Sequence, residues 1–320
     1  MAPTPTIQLL TDERMLAHAS PGHWERPERL APVSDGVADA AAVLGLALVR
    51  PPVTPATDEM LERIHPGWFV AALEAAAIRG GGWMDADTYV VPDSMRAARL
   101  AAGATVAAAE AVARGDAALA FAVVRPPGHH AAEERAAGFC LMNNIAIGVA
   151  ALRAAGLAER IAIVDWDVHH GDGTQAIFDA DPELCYASTH QWPFYPGTGA
   201  TAERGSGPAM GTMHNVPLPA GSGDEAFTDG WLVQLLPAVE AFAPQAILVS
   251  AGFDAHRDDP LAYLEVTEEG YRAVARELGA VARRLGLPGV ALTLEGGYDL
   301  DALRTGASAT VIGLWEGLTG

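Results

Sequence analysis

Five short runs of Val, Ile, Leu and Ala recur along the chain, with few polar positions inside them. A strand with one face in water alternates apolar and polar residues, whereas near-continuous apolar runs are typical of strands buried on both faces. We therefore predict five strands of a sheet that is covered on both sides, at residues 119–124, 161–165, 184–188, 246–250 and 290–294.

The segments between these runs are longer and rich in Ala, Arg and Glu. Their composition and length predict helices at residues 95–113, 144–155 and 268–285. Pro- and Gly-rich segments are interpreted as loops, at residues 51–55, 80–82, 193–211 and 217–223. Because alternating strands and helices build parallel sheets, we predict one α/β domain over residues 1–320, with a central, mostly parallel sheet flanked by helices.

The amino-acid composition excludes several classes of function and of binding partner. The 320 residues include 40 Asp and Glu against 20 basic residues, a formal net charge of −20, and all of the basic residues are Arg. Without Lys there is no Schiff-base, pyridoxal-phosphate or phosphate-loop lysine. The acidic balance argues against nucleic acid, whose phosphates require a basic surface, and against anionic membranes. We expect cationic or neutral partners, with neither nucleic acid nor membrane among them.

The location is expected to be cytoplasmic. The first ten residues, MAPTPTIQLL, lack the basic and apolar regions of a signal peptide, and no apolar run reaches the length of a transmembrane helix. Two cysteines, Cys140 and Cys185, are too few for a disulfide framework and are typical of a reducing compartment.

A polar motif follows each of the five predicted strands. In chain order the motifs are RPPGHH, DWDVHHGDG, STHQWPFYPGTG, AGFDAHRDDP and EGGYD. In an open α/β sheet, ligands bind at the carboxyl ends of the strands, so motifs on five strand ends can meet in one pocket. Polar turns would occur there in any α/β fold, but the carboxylate and histidine clusters favour a functional site.

The strongest motif is the DWDVHH segment that begins at Asp165. Residues two apart in an extended segment point the same way, so Asp165, Asp167 and His169 can share one face. An Asp and a His two residues apart at a strand end, as Asp167 and His169 are, can form a bidentate metal claw. A solvated acidic turn with helix-capping histidines is the alternative, and a third ligand is needed to reject it. Asp254 is the candidate for that ligand. Two carboxylates and one imidazole would leave coordination positions open, as in a catalytic metal site.

Two further motifs supply groups that move or donate protons. His129 and His130 follow a Pro-Pro-Gly turn and could act as general base and acid beside a metal, with Asp165 and Asp172 available to orient them. Tyr298 follows two glycines at the last predicted strand end, where its hydroxyl could donate to a developing oxyanion. Alone, the histidines would be a surface feature and Tyr298 an ordinary turn residue. Beside the claw they indicate catalysis.

Aromatic residues accompany the same strand ends. Phe139 follows Gly138, and the segment WPFYPG places further rings at residues 192–197. Facing aromatics could form a narrow apolar slot for a linear alkyl chain, although packing in the core explains them equally well.

In this order, and together with GHWERPERL at residues 22–30, the motifs resemble the histone deacetylase superfamily, which includes bacterial deacetylase-like amidohydrolases and acetylpolyamine amidohydrolases. The resemblance spans nearly the whole chain and implies a single α/β domain with a fold related to the arginases. It also implies one Zn²⁺ per chain, held by Asp167, His169 and Asp254.

The resemblance assigns roles to the other site residues. His130 would be the general base and acid, and His129 its electrostatic partner, paired with Asp172 and Asp165 respectively, while Tyr298 would polarise the substrate carbonyl. The acyl-lysine channel would be lined by Gly138, Phe139, Tyr195 and Leu261. A potassium ion beside the claw is implied, in part through backbone carbonyls, at Asp165, Asp167, His169, Ser188 and Thr189.

Three positions depart from the common pattern of the family. Trp24 stands where proline is common after Gly-His, and Tyr263 stands where a Gly-Gly pair is frequent, so both are expected to change the entrance to the site. Asp172 stands where many relatives carry asparagine, which gives His130 an anionic partner. None of the three removes a catalytic group.

The implied activity is hydrolysis of an N-acyl amide on a lysine side chain or a similar alkylamine, and the acylated amine is the expected partner. Acetylpolyamine hydrolysis is the alternative, although polyamine selectivity in the family can use an acidic residue where this chain has Leu261. A non-catalytic acyl-lysine-binding protein is the second alternative. A binuclear arginase-like hydrolase is disfavoured, because the Asp254-Ala255-His256 string lacks the second-metal carboxylate. The chain could also form a homo-oligomer, and the sequence does not decide its oligomeric state.

Overall fold

The central sheet contains eight of the ten strands found in residues 5–320, the part of the chain that the computed structural model describes. The strands are β1 (Thr6–Leu10), β2 (Ala47–Val49), β3 (Gly82–Trp83), β4 (Tyr89–Val90), β5 (Leu119–Ala122), β6 (Ile161–Asp165), β7 (Leu184–Gln191), β8 (Met213–Leu218), β9 (Ala246–Ala251) and β10 (Val290–Leu294). The short β3 and β4 pair with each other in an antiparallel hairpin outside the sheet. Residues 1–4, which open the segment interpreted as lacking a signal peptide, lie outside the described residues.

The sheet is parallel throughout. Its order is β2-β1-β5-β10-β9-β6-β7-β8, and every neighbouring pair in it is parallel. The last strand of the chain, β10, therefore lies inside the sheet, between β5 and β9. Since all eight strands run the same way, their carboxyl ends and the loops that follow them lie along one edge. The predicted single α/β domain with a central, mostly parallel sheet flanked by helices is confirmed.

The ten α-helices within residues 5–320 are α1 (Leu30–Leu44), α2 (Asp58–Leu61), α3 (Gly67–Ile78), α4 (Ser94–Ala113), α5 (Asn144–Ala154), α6 (Asp172–Phe178), α7 (Asp224–Asp229), α8 (Leu236–Phe242), α9 (Glu268–Arg284) and α10 (Leu300–Thr319). A π-helical segment, Gly230–Leu235, joins α7 to α8. In this part of the chain, no helix combines the length and the hydropathy that crossing a bilayer requires.

Helix α9 shows how local sequence sets an element. Thr267 caps the first turn, where its hydroxyl accepts the amide of Glu269 at 3.2 Å. Acidic residues occupy the first turn, and Arg283 and Arg284 occupy the last, which complements the helix dipole at both ends. The apolar side of the helix, which includes the buried Leu278, packs against α10.

The five predicted strands are confirmed as β5, β6, β7, β9 and β10, and the three predicted helices as α4, α5 and α9. These strands are buried along their whole length, as near-continuous apolar runs require. The sequence did not predict β1, β2 and β8. Strands β2 and β8 are the edges of the sheet and β1 lies beside β2, so all three are only partly buried and their residues are less uniformly apolar.

Two loop interpretations are wrong at their ends. Residues 217–223 were expected to form a loop, but Pro217 and Leu218 end β8. A proline is tolerated there because β8 is an edge strand, on which a missing amide donor need not break a ladder. Residues 80–82 were also expected to form a loop, but Gly82 begins β3.

A buried ion cluster ties the amino-terminal segment to the strand ends. The Glu25 carboxylate accepts hydrogen bonds from Arg125 Nε at 2.8 Å and from Arg29 Nη1 at 3.2 Å, and all three side chains are fully buried. Arg29 also donates to the backbone carbonyls of Glu295 and Gly297. Burial alone would raise the pKa of Glu25, but the charge of Arg125, helped by Arg29, lowers it from 4.5 to about 2.

We expect Glu25→Gln to destabilise the fold by ~3–5 kcal/mol, because it leaves two buried guanidinium groups without a carboxylate. The pKa of Glu25 is lower in the folded state than in the unfolded state, so its stabilisation is complete above pH 4.5 and is lost as the pH falls through about 2. The difference in urea unfolding between variant and wild type should therefore shrink as the pH is lowered across this window. Glu28→Gln, an exposed change in the same segment, is the control. Equal stability of Glu25→Gln and wild type at neutral pH would contradict the expectation.

Candidate active site

Three side chains of the kinds that can bind a metal ion meet where β6 and β9 end. Asp167 and His169 follow β6, Asp254 follows β9, and one ligand atom from each lies within 4.8 Å of the other two. His169 Nδ1 is 3.1 Å from Asp167 Oδ1 and 3.2 Å from Asp254 Oδ2. Both carboxylates are fully buried. The structure therefore brings together the three residues for which the sequence predicted zinc ligation.

The chemistry of this cluster fits a divalent metal ion. Within residues 5–320, Asp254 Oδ2 has no hydrogen-bond partner although it is buried. Burial raises the pKa of Asp254, and the charge of Asp167 raises it further, whereas the neighbouring His169 lowers it. A cation at this point would reduce the repulsion between the two neighbouring buried carboxylates. The carboxylates have room only because residue 296 is a glycine. A Cβ at Gly296 would lie 2.0 Å from Asp254 Oδ2. One imidazole nitrogen and two carboxylate oxygens form a donor set that zinc accepts.

Asp165 does not belong to this cluster. Its Oδ2 lies 3.2 Å from His129 Nδ1 and accepts the Tyr186 hydroxyl at 3.0 Å. We expected Asp165, Asp167 and His169 to share one face of an extended segment, but β6 ends at Asp165 and the chain then bends, which ends the alternation. Asp165 is placed to orient His129 instead.

Two buried histidines stand beside the cluster, with ring centroids 4.0 Å apart. His130 Nδ1 is 2.8 Å from Asp172 Oδ1, and His129 lies against Asp165. The loop that carries them is fastened to the end of β10, where the Glu295 carboxylate accepts the amides of Gly128 at 2.6 Å and His129 at 3.1 Å.

The environment separates the pKa values of the two histidines. Burial opposes the charged form of both, but Asp167 and Asp165 raise the pKa of His129 well above its ordinary value. For His130, burial and the neighbouring His129 lower the pKa to about 3, in spite of the hydrogen bond to Asp172. His130 is therefore neutral near pH 7 and can accept a proton. A pair of titratable groups whose pKa values are pushed apart is a common sign of acid and base roles.

Tyr298 stands opposite the histidines, at the end of the loop that follows β10. Its ring packs edge-on against Phe139 with centroids 5.8 Å apart, and the guanidinium of Arg29 lies 5.0 Å from its centre. Its amide donates to Asp259 Oδ2 at 2.7 Å. Burial raises the pKa of Tyr298 well above its ordinary value, so the phenol stays protonated and can donate a hydrogen bond.

A cavity of about 410 Å³ connects these groups to the surface. Its walls include both histidines, His169 and Tyr298, together with the four predicted channel residues Gly138, Phe139, Tyr195 and Leu261. Phe194 stacks on His169 with ring centroids 5.5 Å apart, and Tyr195 meets His130 edge-on at 5.1 Å. The aromatic rings therefore line a passage to the cluster and do not belong only to the core.

Gly138 is a position that this passage requires to be glycine. Its φ is +54°, in the left-handed region, and a Cβ there would lie 2.4 Å from the ring of His130. A side chain at this point would therefore displace the histidine or block the channel beside it.

Sequence reasoning missed part of the cavity mouth. Trp83 and Asp87, from the β3–β4 hairpin, line it together with Trp24, and the two tryptophans are 58% and 48% exposed. The signal in the sequence is weak: an exposed tryptophan beside the acidic string DAD, in a segment with no catalytic motif.

The residues predicted to hold potassium lie close to the cluster but use their side chains elsewhere. Ser188 pairs in register with Asp165 across β6 and β7, and its hydroxyl is hydrogen-bonded to His190 at 3.0 Å. The Thr189 hydroxyl accepts the indole N–H of Trp231 at 2.9 Å. The potassium site stays a prediction.

The fold and this site together define a class of protein. A parallel α/β sheet that collects a three-ligand cluster, two acid-paired histidines and a tyrosine at its strand ends has the arrangement of a hydrolase that acts on acylated amines. The sequence model of the histone deacetylase domain matches residues 23–314. The chain belongs to the histone deacetylase family.

Individual relatives agree with this assignment. A probable deacetylase of Archaeoglobus fulgidus is 42% identical over 291 residues, which cover 90% of this chain and 80% of that protein. The histone deacetylase-like amidohydrolase of Pseudomonas aeruginosa is 38% identical over 88% of this chain and 74% of its own length. The crystal structure of an acetylpolyamine aminohydrolase from Burkholderia pseudomallei superposes with a TM-score of 0.84 at 30% identity, and the match covers 96% of this chain and 98% of that one.

Proposed function

We propose that the protein is a zinc-dependent deacylase that hydrolyses the N-acyl amide of a lysine side chain or a similar alkylamine, releasing a carboxylate and the free amine. One observation carries the proposal: a single cavity joins the three-ligand cluster, the neutral His130 and the Tyr298 phenol to an aromatic passage. Its shape suits a linear acylated chain that delivers its carbonyl to the strand ends.

The catalytic roles follow from the contacts of each side chain. Zinc, when held by Asp167, His169 and Asp254, would supply Lewis acidity and an activated water. Asp172 accepts from Nδ1 of His130, which leaves Nε2 of that ring free to take a proton from water and later to deliver it to the leaving amine.

The remaining groups stabilise charge. The Tyr298 hydroxyl donates to the oxyanion that forms at the substrate carbonyl. His129, which is held by Asp165 and has a raised pKa, provides a positive charge next to His130 and the reacting carbonyl. The presence of every one of these groups speaks against a non-catalytic acyl-lysine-binding protein, the alternative of a different functional class.

The passage and its mouth support an amine with a long aliphatic arm. Phe139 and Tyr195 provide apolar walls, and Leu261 places an apolar side chain at the rim. Hydrolysis of acetylpolyamines is the second candidate, because the mouth also carries Asp87, a carboxylate that could attract a distal ammonium. The structural similarity to an acetylpolyamine aminohydrolase supports the same candidate.

A substrate panel tests the proposal. One zinc-loaded preparation is assayed with acetyl-lysine peptides, longer acyl-lysines, acetylpolyamines and small acetylated metabolites, and release of free amine is measured. We expect acetyl- or acyl-lysine to give the highest kcat/KM. Higher values for acetylpolyamines would favour the second candidate. Binding of acyl-lysine peptides without turnover of any member would overturn the enzymatic proposal in favour of a binding protein.

We expect Leu261→Glu to raise the ratio of kcat/KM for acetylspermidine to that for an acetyl-lysine peptide by ~10-fold, since a hydrogen bond to a charged group at a partly buried rim is worth about one decade. Steady-state kinetics with both substrates measure the ratio. Val43→Glu on α1, where the side chain is 74% exposed, adds the same charge away from the mouth and should leave the ratio unchanged. An unchanged ratio in Leu261→Glu would show that this position does not select the amine.

We further propose one zinc ion per chain, a potassium ion near Asp165, a single catalytic domain over residues 1–320 and a cytoplasmic location. The two cysteines support the location, because both are buried and unpaired, as is usual in a reducing compartment.

A further inference from the structure

We infer that Asp259 is a positioning residue for Tyr298, which fixes the phenol at the reacting carbonyl although its own side chain does not line the cavity. The inference rests on the function proposed above.

The ring of Tyr298 is not fixed in place by a hydrogen bond to its hydroxyl. Within residues 5–320, no group hydrogen-bonds that hydroxyl, so the ring is placed by packing and by its backbone. Two glycines, Gly296 and Gly297, precede it, and Gly297 has a φ of +116°, so this part of the loop has little stiffness of its own. The position of Tyr298 therefore depends on the external contacts of the loop.

The loop is fastened at several places, among them Gly296, whose amide donates to Asp167 Oδ2 at 2.7 Å and whose carbonyl accepts the amide of Phe253 at 3.0 Å. Arg29 donates to the carbonyls of Glu295 and Gly297, which lie before the tyrosine. Asp299 caps α10 by accepting the amide of Ala302 at 2.8 Å, which fixes the chain after it. Among the described residues, only Asp259 accepts the amide of Tyr298, through Oδ2 at 2.7 Å.

The second oxygen of Asp259 holds the rim of the channel. Oδ1 accepts the amide of Leu261 at 2.9 Å, so one carboxylate bridges the Tyr298 loop and the predicted rim residue. Asp259 is buried and does not line the cavity. It can therefore act on the reaction only through the groups that it holds, and a hydrogen bond to a carboxylate is among the stronger anchors available in a protein.

Hydrogen exchange tests the anchor directly. In Asp259→Asn the amide side chain retains one acceptor oxygen for two backbone donors, so we expect the Tyr298 amide to exchange ~10-fold faster or more than in wild type. Asp258→Asn is the matched control, since it removes the same charge one residue away on a side chain that is 68% exposed, and it should leave this amide unchanged. Unchanged exchange at Tyr298 in Asp259→Asn would overturn the inference.

A double-mutant cycle tests whether the anchor acts through the phenol. We expect Asp259→Asn to lower kcat by ~10-fold with a smaller change in KM, and to lower it by less than ~2-fold when Tyr298 is already Phe. A merely structural residue would cost the same factor in both backgrounds, and that outcome would refute the positioning role.

Two further comparisons separate failure of this inference from failure of the variant to fold and from failure of the proposed function. If Asp259→Asn does not fold, as judged by circular dichroism, Asp259→Glu keeps the charge but shifts both oxygens by one methylene, and the same exchange and kinetic comparisons apply to it. If no acylated amine is hydrolysed by the wild type, the proposed function fails, while exchange at the Tyr298 amide still decides whether Asp259 is the anchor.

Discussion

Tyr298→Phe is expected to lower kcat by ~10²–10³-fold, the usual cost of removing one donor to a developing oxyanion, and to change KM by no more than a few-fold. The substitution removes only an oxygen that has no partner among the described residues, so the ring should keep its packing against Phe139 and Arg29. The loss should therefore appear in the chemical step and not in stability. Steady-state kinetics on an acetyl-lysine peptide, together with thermal unfolding, measure both.

Tyr263→Phe is the matched control for this experiment. Tyr263 does not line the cavity and is 67% exposed, so the same change of atoms should leave kcat within about twofold. A Tyr298→Phe variant with the kcat of wild type would remove the tyrosine from the mechanism, and the carbonyl would then have to be polarised without it.

Loss of the metal should have the largest effect. We expect Asp254→Asn to bind well under one zinc per chain and to hydrolyse acyl-lysine at least ~10³-fold more slowly, because Lewis-acid activation is worth several kcal/mol of the barrier. Removing one of two buried carboxylates also lowers the attraction that this site offers to a dication. Zinc content is measured by plasma mass spectrometry, and turnover is measured on the same preparation.

Chelation provides the second half of that test. Wild type treated with a chelator should lose activity and regain it when zinc is returned, whereas Asp254→Asn should not respond to added zinc. Asp258→Asn, with its exposed carboxylate nearby in sequence, should behave as wild type does. Full activity of the chelated wild type, with zinc shown to be absent, would contradict the proposal of a zinc-dependent enzyme.

The middle of the sheet could be predicted from the sequence, and its edges could not. Strands β5, β6, β9 and β10 are covered on both faces, so their residues are apolar at nearly every position. Strand β2 has exposed residues at both ends, and β8 contains Pro217, so neither resembles a buried strand. The sequence pattern reports burial, and edge strands are formed by backbone pairing that leaves little trace in it.

Some residues of the candidate site could likewise be predicted from the sequence, and others could not. Asp167, His169 and Tyr298 stand in short motifs directly after strands, where the parallel sheet had to bring them together. Asp259 and Arg29 bind backbone atoms of the loop that follows β10, and their partners there are 39 and 268 residues away along the chain. Contacts of this kind depend on distances between loops, which no local pattern of residues records.

The place of β10 in the sheet has a consequence for the synthesis of the protein. Until residues 290–294 are available, the strands can pair only as two separate groups: β2, β1 and β5 in one, and β9, β6, β7 and β8 in the other. The histidine loop follows β5, in the first group, and Asp167 and Asp254 belong to the second. The last strand joins the groups and brings Glu295 to the histidine loop. A growing chain therefore cannot possess a finished site, and pairings so distant in sequence make this final joining a slow event.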